Sequence, residues 1–165
     1  MSNGKKLYKQ ISYNILEFKQ NIPAKGSLLC LDIGEKRIGM AKCDEDKLIS
    51  SNLKTLIRKK FSVDIIIIEE IIKDNSIKGI VIGLPLNLEG KPSKKSQSVT
   101  RLTKEIYSYL NIPILLWDER NSTIAVKKFL IQEVNISREK RKKIIDSSAA
   151  QWILEGVIKT LKNKN

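Results

Sequence analysis

Three acidic residues stand where apolar segments of the sequence end or pack, and their carboxylates could bind a cation. Asp32 and Glu119 each follow an apolar run typical of a buried strand. Asp146 starts a stripe at helical spacing, in which Ala149 and Ala150 are small enough for a close approach to a sheet. Carboxylates held together repel one another unless a cation lies among them, and hard oxygen ligands favour Mg²⁺ or Mn²⁺. We therefore predict that Asp32, Glu119 and Asp146 form a catalytic metal site.

Each acid also has an ordinary structural explanation when it is considered alone. Asp32 comes shortly before Gly34 and could simply make a turn. Glu119 could form a surface ion pair with Arg120, and Asp146 could balance the basic start of the last helix. No local motif links the three acids, so only the fold can bring them together. The hypothesis therefore rests on the three acids considered together.

The charge balance favours a polyanionic partner. Lysine and arginine number 31 against 18 acidic residues, which gives a net charge of +13. A field of this sign steers nucleic acid, although a Lys-rich composition can also produce a merely solvated basic surface. Aromatic residues make up 5% of the chain, which argues against a base-stacking platform for single strands. Histidine is absent, which excludes histidine triads, histidine general bases and histidine zinc sites.

Metal-assisted phosphodiester hydrolysis is the most economical chemistry for clustered acids and a polyanionic partner. Two ions about 4 Å apart can activate a water and stabilise the leaving oxygen, so the protein supplies mainly carboxylates. Basic residues close to the acids in sequence could neutralise substrate phosphates, and they are Lys36, Arg37, Arg120, Lys142 and Lys143. The polar loop 85–98 contains Lys91 and is predicted to be exposed, with its lysines either contacting phosphate or merely solvated.

The elements that must position these residues follow from apolar periodicity. Continuous apolar or β-branched runs indicate strands, whereas spacings of three and four indicate helices. The predicted strands are Leu28–Leu31, its hairpin partner Arg37–Cys43, Leu48–Ile57, Gly79–Leu84 and Ile114–Trp117, and the predicted helices are Phe61–Ile72, Val99–Leu110, Ile124–Val134 and Ser137–Leu161. This order suits an α/β fold with a mixed sheet and helices on its faces. Ligands of such sheets gather at the carboxyl ends of parallel strands.

The first 26 residues form a separate segment in the sequence pattern. Apolar spacing from Tyr8 to Ile22 predicts an amphipathic helix, which Pro23 and Gly26 end. We predict an N-terminal helical extension over 1–26 and a single domain over 27–165. No apolar run reaches the roughly 20 residues of a membrane helix, and the start lacks a secretory apolar core. The chain is therefore expected to be cytoplasmic, with no membrane partner.

Four segments together resemble one known family. They are LDIGEKRIGMA (Leu31–Ala41), IVIGLPLNLEG (Ile80–Gly90), WDERNST (Trp117–Thr123) and DSSAAQWIL (Asp146–Leu154). In this order they are similar to the motifs of the YqgF (RuvX) family of ribonuclease H-like proteins, which are related to Holliday junction resolvases. Each segment alone is weak evidence, but the four together are specific.

The resemblance implies a ribonuclease H-like mixed sheet of five strands, the first three antiparallel, with helices on both faces. It also implies a metal-dependent nuclease that uses Mg²⁺ or Mn²⁺ to mature the 5′ end of the 16S ribosomal RNA precursor. Carried over by position, the acidic residues are again Asp32, Glu119 and Asp146, with Asp118 as an auxiliary acid. Asn87 matches the second motif, where the resemblance implies contact with the substrate path.

One position departs from related nucleases, and two other functions stay open. Related nucleases often have an acid at the end of the fourth strand, whereas this sequence has Gly83 there and Glu119 after the next strand. One alternative function is Holliday junction cleavage by a dimer acting on branched DNA. The other is a catalytically idle RNA-binding module. The sequence decides neither between structured RNA and branched DNA nor the oligomeric state.

Overall fold

A mixed β-sheet between helices forms the body of the protein. The computed structural model describes residues 9–121 and 137–164, with residues 121 and 140–148 described by their backbone alone. The strands are β1 (Ile11–Ser12), β2 (Ser27–Ile33), β3 (Arg37–Cys43), β4 (Ser50–Asn52), β5 (Leu56–Ile57), β6 (Ile77–Leu84) and β7 (Ile114–Asp118). The helices in these ranges are α1 (Ile15–Asn21), α2 (Phe61–Asp74), α3 (Lys94–Leu110) and α4 (Arg138–Asn163), and a 3₁₀ turn spans Glu119–Asn121. The helix predicted over Ile124–Val134 lies outside the described residues.

The sheet combines an antiparallel part with a parallel part. Its strand order is β1-β7-β6-β2-β3-β4, and β5 also pairs with β3. β3 runs antiparallel to β2, β4 and β5, whereas β2, β6, β7 and β1 form parallel pairs. This confirms the mixed α/β sheet, in which the three strands predicted to be antiparallel correspond to β2, β3 and the β4–β5 segment. The predicted number of five strands is wrong, because the described sheet has seven.

Local backbone geometry accounts for the additional strands. The predicted strand 48–57 is divided into β4 and β5, and Leu53 between them still donates its N–H to Met40 O at 2.8 Å. Leu48 lies in a turn before β4, where its N–H donates to Asp44 Oδ1 at 2.7 Å. The other addition is β1, which extends the parallel edge of the sheet by pairing with β7.

The N-terminal segment joins the sheet before it forms a helix. The predicted helix over 8–22 is wrong in its first half, because 11–12 form β1 and α1 begins only after Asn14. Asn14 has an extended backbone, and its side chain accepts the N–H of Leu16 at 2.8 Å, which fixes the helix start. Phe18 of α1 is 0% exposed and packs in the same core as α4. The segment therefore contributes to the packing of the sheet.

Alternation along the central strands divides their side chains between two cores. Leu29 and Leu31 of β2 belong to the core that includes α2 and α3, whereas Leu28 and Cys30 belong to the core that includes α1 and α4. Asp32 is the next residue in the second series, so it lies on the α4 face of the sheet. The four described helices thus cover both faces. None of them is long and apolar enough to cross a bilayer.

Candidate active site

Asp32 lies near the carboxyl end of β2, beside Gly83 of β6. The parallel register pairs Leu31 with Ile82, so the next position places Asp32 level with Gly83. Neighbouring strands are about 5 Å apart. Asp32 is half-buried on the face that α4 covers. Its carboxylate therefore stands where two parallel strands end.

Glu119 reaches the same place from β7. It is the first residue of the 3₁₀ turn that follows β7, and its side chain lies over Gly83. A Cβ placed on Gly83 would lie 2.6 Å from Glu119 Oε1 and 3.2 Å from Glu119 Cγ. Both distances are shorter than favourable nonbonded contact, so only glycine leaves room for this carboxylate. Because Asp32 is level with Gly83 on the neighbouring strand, the Glu119 carboxylate lies over the position beside Asp32.

Asp146 lies in α4, whose position is fixed by residues further along the helix. Ala149, Ala150 and Ile153 are buried against the sheet, and Ile153 Cδ1 lies 2.9 Å from the position a Cβ would take on Gly83. Asp146 has helical backbone and precedes Ile153 by two turns on the same helix face, about 10 Å along the axis. Its side chain is outside the described part of the chain. Its approach to Asp32 therefore stays a prediction.

The donor chemistry around Gly83 suits a hard divalent cation. Asp32 and Glu119 contribute carboxylate oxygens, which Mg²⁺ and Mn²⁺ prefer over nitrogen or sulfur ligands. Among the side chains that the structure describes, no three acidic or thiol groups are close enough to form a metal site. A third carboxylate would therefore have to come from outside the described side chains, and the sequence predicts Asp146 for this position. The residues fit the ion that the sequence predicted, and the ion itself is a proposal.

Asp118 and Arg120 form a close ion pair on either side of Glu119 in sequence. Arg120 donates from Nη2 to Asp118 Oδ2 at 2.6 Å and from Nε to Asp118 Oδ1 at 3.0 Å. The hydrogen bonds from the Arg120 side chain hold the pKa of the Asp118 carboxyl below its ordinary value, although partial burial opposes them. The same hydrogen bonds raise the pKa of Arg120. Two side chains predicted to act on metal or phosphate thus bind each other.

Arg120 also contacts the loop between β6 and α3, residues 85–93. Its Nη1 donates to Leu88 O at 3.4 Å, and its guanidinium lies against Gly90. Gly90 has a positive φ of +78°, and a Cβ there would lie 2.9 Å from both terminal nitrogens of Arg120. Asn87 is exposed, and its Oδ1 accepts the N–H of Lys91 at 2.7 Å. Asn87 therefore shapes the loop, whatever contact it makes with a substrate.

Comparison with known proteins assigns the chain to a family. The family described as "RuvX: Holliday junction resolvase" matches residues 26–160. The chain belongs to the RuvX family. A relative from Zymomonas mobilis, named "Putative pre-16S rRNA nuclease", is 43% identical over 141 residues, covering 86% of this chain and 85% of the relative. A relative of the same name from Caldanaerobacter subterraneus is 40% identical over 136 residues, covering 82% of this chain and 98% of the relative.

The RuvX match confirms the family that the four motifs indicated, and it includes the three acids and the 85–93 loop. It begins one residue before β2, so β1 and α1 precede the matched region. Among solved structures, Thermus thermophilus RuvC in complex with a Holliday junction substrate aligns with a TM-score of 0.49 and 8% identity, covering 82% of this chain and 96% of that chain.

The other basic residues predicted to bind substrate lie on several elements of this RuvX chain. Lys36 is exposed in the turn between β2 and β3, and Arg37 is half-buried at the start of β3. Lys91 is exposed in the 85–93 loop, with its Nζ 2.9 Å from Glu89 Oε2. The backbones of Lys142 and Lys143 are in α4, and their side chains are outside the description. Their contacts with substrate stay a prediction.

Arg58 is a residue near the RuvX acids that the sequence analysis missed. Its Nη1 donates to Gly34 O at 2.7 Å, and its backbone N–H donates to Lys36 O at 3.0 Å. Gly34 permits this tight turn, since a Cβ there would lie 2.9 Å from Arg37 O. Arg58 thus holds the turn that follows Asp32. No sequence signal could have identified it, because it lies 24 residues from Gly34 in the chain.

Proposed function

We propose that this chain is a metal-dependent nuclease that hydrolyses phosphodiester bonds in structured RNA during 5′-end maturation of the 16S ribosomal RNA precursor. The observation that supports this most strongly is the position of Glu119 over Gly83, beside Asp32. Related nucleases often have an acid at the end of the fourth predicted strand, which is β6 in this structure. β6 has Gly83 there, and the missing Cβ makes room for the carboxylate of Glu119, which follows the adjacent strand β7.

Asp32, Glu119 and Asp146 would hold the ion. When bound, Mg²⁺ or Mn²⁺ supplies an activated water and offsets the negative charge that builds up on the phosphate. The chain itself orients the carboxylates: Gly83 seats Glu119, and the small residues Ala149 and Ala150 are buried where α4 lies against the sheet. With no histidine available, proton transfers in this site would fall to carboxylates or water.

A polyanionic substrate is supported by the charge and by the relatives. The net charge of +13 favours association with RNA through its phosphates. Lys36 and Lys91 are exposed on the two loops that flank the acids, and Lys94 and Lys95 are exposed at the start of α3. Their ammonium groups are therefore accessible to a phosphate backbone. Relatives at 43% and 40% identity are named for pre-16S rRNA. RNA is therefore the substrate we expect.

A four-way DNA junction is the second candidate substrate, because the matching family is described as a Holliday junction resolvase. The discriminating experiment incubates the chain with precursor 16S rRNA and with a synthetic four-way junction in parallel. Each substrate is tested with Mn²⁺ and with chelator, and Asp32→Asn serves as the inactive control.

The proposal expects Mn²⁺-dependent cleavage of the precursor near its mature 5′ end, with little cutting of the junction. Preferential, symmetric cutting of the junction would make branched DNA the substrate and would leave the proposed metal-dependent hydrolysis unchanged. Cleavage that persists in chelator or in Asp32→Asn would contradict the metal mechanism. Tight RNA binding with no cleavage under any condition would favour the idle binding module.

A further inference from the structure

We infer that Asp118 and Arg120 form a strut that ties the 85–93 loop to the end of β7 and fixes the backbone of Glu119 between them. Arg120 is then a positioning residue, and Asp118 is its anchor. The catalytic part of this inference rests on the proposed function. The structural part can be tested without any activity.

The first half of the strut acts on the backbone around Glu119. Asp118 Oδ1 accepts a hydrogen bond from the backbone N–H of Arg120 at 3.0 Å. The side chain of the residue before Glu119 thus binds the backbone amide of the residue after it. This is the geometry of an Asx turn, which fixes the backbone of the residue in the middle. The orientation of Glu119 toward Gly83 therefore depends on the Asp118 carboxylate.

The second half of the strut acts on the loop. With Nε and Nη2 bound to Asp118, the planar guanidinium has a set direction, and its Nη1 donates to Leu88 O at 3.4 Å. Gly90 lies against the guanidinium, where a Cβ would be 2.9 Å from each terminal nitrogen and 3.1 Å from Cζ. The contact thus requires both the planar guanidinium of Arg120 and a glycine in the loop.

The loop itself is closed by its own hydrogen bonds. The N–H of Gly90 donates to Asn87 O at 2.9 Å, and the N–H of Asn87 donates to Lys91 O at 3.2 Å. At the loop ends, Ser93 Oγ donates to Pro85 O at 3.3 Å. These hydrogen bonds tie the parts of the loop to one another. Its contact with Arg120 therefore sets where the whole loop stands relative to Glu119.

The alternative is that Arg120 binds a substrate phosphate directly and Asp118 binds metal. In the structure Asp118 accepts hydrogen bonds from three Arg120 nitrogens, N, Nε and Nη2, and Arg120 also donates to Leu88 O. A phosphate or a metal ion would have to compete with this arrangement. The two assignments predict different kinetic changes.

The experiment compares Arg120→Lys, Asp118→Asn and Gly90→Ala with the wild type. Arg120→Lys keeps the charge and loses the planar guanidinium. Gly90→Ala leaves both partners of the ion pair unchanged and crowds their contact with the loop, but it also strains the loop backbone, because Gly90 has a φ of +78°. Glu89→Gln is the matched control, because Glu89 is in the same loop and contacts Lys91 but not Arg120. Hydrogen exchange of the Gly90 and Lys91 amides measures how firmly the loop is held. Single-turnover cleavage, with RNA affinity measured separately, measures the effect on the active site.

The strut predicts at least about 10-fold faster exchange of these amides in all three variants, and wild-type exchange in Glu89→Gln. It also predicts cleavage rates reduced about 10-fold to 100-fold with RNA affinity within about 3-fold of wild type. Asp118→Asn/Arg120→Lys should be no slower than the worse single variant, since the two residues act as one unit. Unchanged exchange in Arg120→Lys and Asp118→Asn would overturn the strut.

Two kinetic results would overturn the positioning role specifically. Weakened RNA binding in Arg120→Lys, with an unchanged cleavage rate, would make Arg120 a phosphate contact. Lost cleavage in Asp118→Asn, with full cleavage in Gly90→Ala, would make Asp118 a reacting group. A wild-type chain that cleaves nothing would refute the proposed function, while the exchange data would still decide whether the strut exists.

Discussion

Replacing Gly83 by alanine should disable cleavage without unfolding the protein. The new methyl would lie 2.6 Å from Glu119 Oε1, whereas favourable contacts are about 3.5 Å or longer. The carboxylate would therefore have to move by about 1 Å, a displacement that can reduce a catalytic rate about 100-fold. The same methyl would lie 2.9 Å from Ile153 Cδ1, and such overpacking costs about 1–3 kcal/mol of unfolding free energy.

The assay is single-turnover cleavage at saturating precursor RNA and Mn²⁺, with urea unfolding measured in parallel. Gly156→Ala is the matched control, because a Cβ there would be no closer than 3.9 Å to Trp117. That variant should keep the wild-type rate and gain up to about 1 kcal/mol of stability, since alanine is favoured over glycine within a helix.

A double variant separates the two clashes at Gly83. Gly83→Ala/Ile153→Val removes the Cδ1 atom of Ile153, so it should recover part of the lost stability. The cleavage rate should stay low, because Glu119 is still displaced. The reasoning is refuted if Gly83→Ala cleaves within about 3-fold of wild type, or if the double variant restores the rate.

Three further predictions concern stability, pH and RNA binding. Phe18→Ala should lower the unfolding free energy by about 3–5 kcal/mol in urea melts, because Phe18 is fully buried; a loss below 1 kcal/mol would make α1 a dispensable appendage. Arg120→Met should lose the stabilisation of ionised Asp118, so its stability deficit relative to wild type should be constant above about pH 5 and shrink as the pH falls below about 4; a deficit that stays the same as the pH falls would contradict this assignment. Lys142→Ala/Lys143→Ala should weaken RNA binding and flatten the slope of log affinity against log salt by about 0.7 per lost phosphate contact, and an unchanged slope would remove both lysines from the interface.

Much of the fold could be predicted because its strands are short apolar runs with clear ends. β2 was recognisable from the apolar residues before Asp32, and β6 from its β-branched residues before Pro85. β1 was not, because it contains two residues whose apolar spacing continues into α1. Asn14 separates strand from helix there through a side-chain cap, which periodicity does not show.

The sequence indicates the residue types of the proposed site but not their arrangement. Three carboxylates without a histidine already indicated metal chemistry. In the proposed site Glu119 takes the place of an acid on the neighbouring strand. This proposal depends on Gly83 lying level with Asp32, which only the sheet register defines. Arg120 was expected to meet phosphate, whereas its partners are Asp118 and the loop at Gly90. The short spacing from Asp118 to Arg120 was visible in sequence, but the long contact to Gly90 was not.

The convergence of Asp32, Glu119 and Asp146 on one cation is tested most directly by single-turnover cleavage of precursor RNA in Mn²⁺. Asp32→Asn, Glu119→Gln, Asp146→Asn and the triple variant are compared with the wild type, and RNA affinity is measured separately. Each single variant should lose at least about 1,000-fold in rate while still binding RNA, and the triple variant should be no slower than the worst single variant. A wild-type rate in any one of the three single variants would contradict the proposed site.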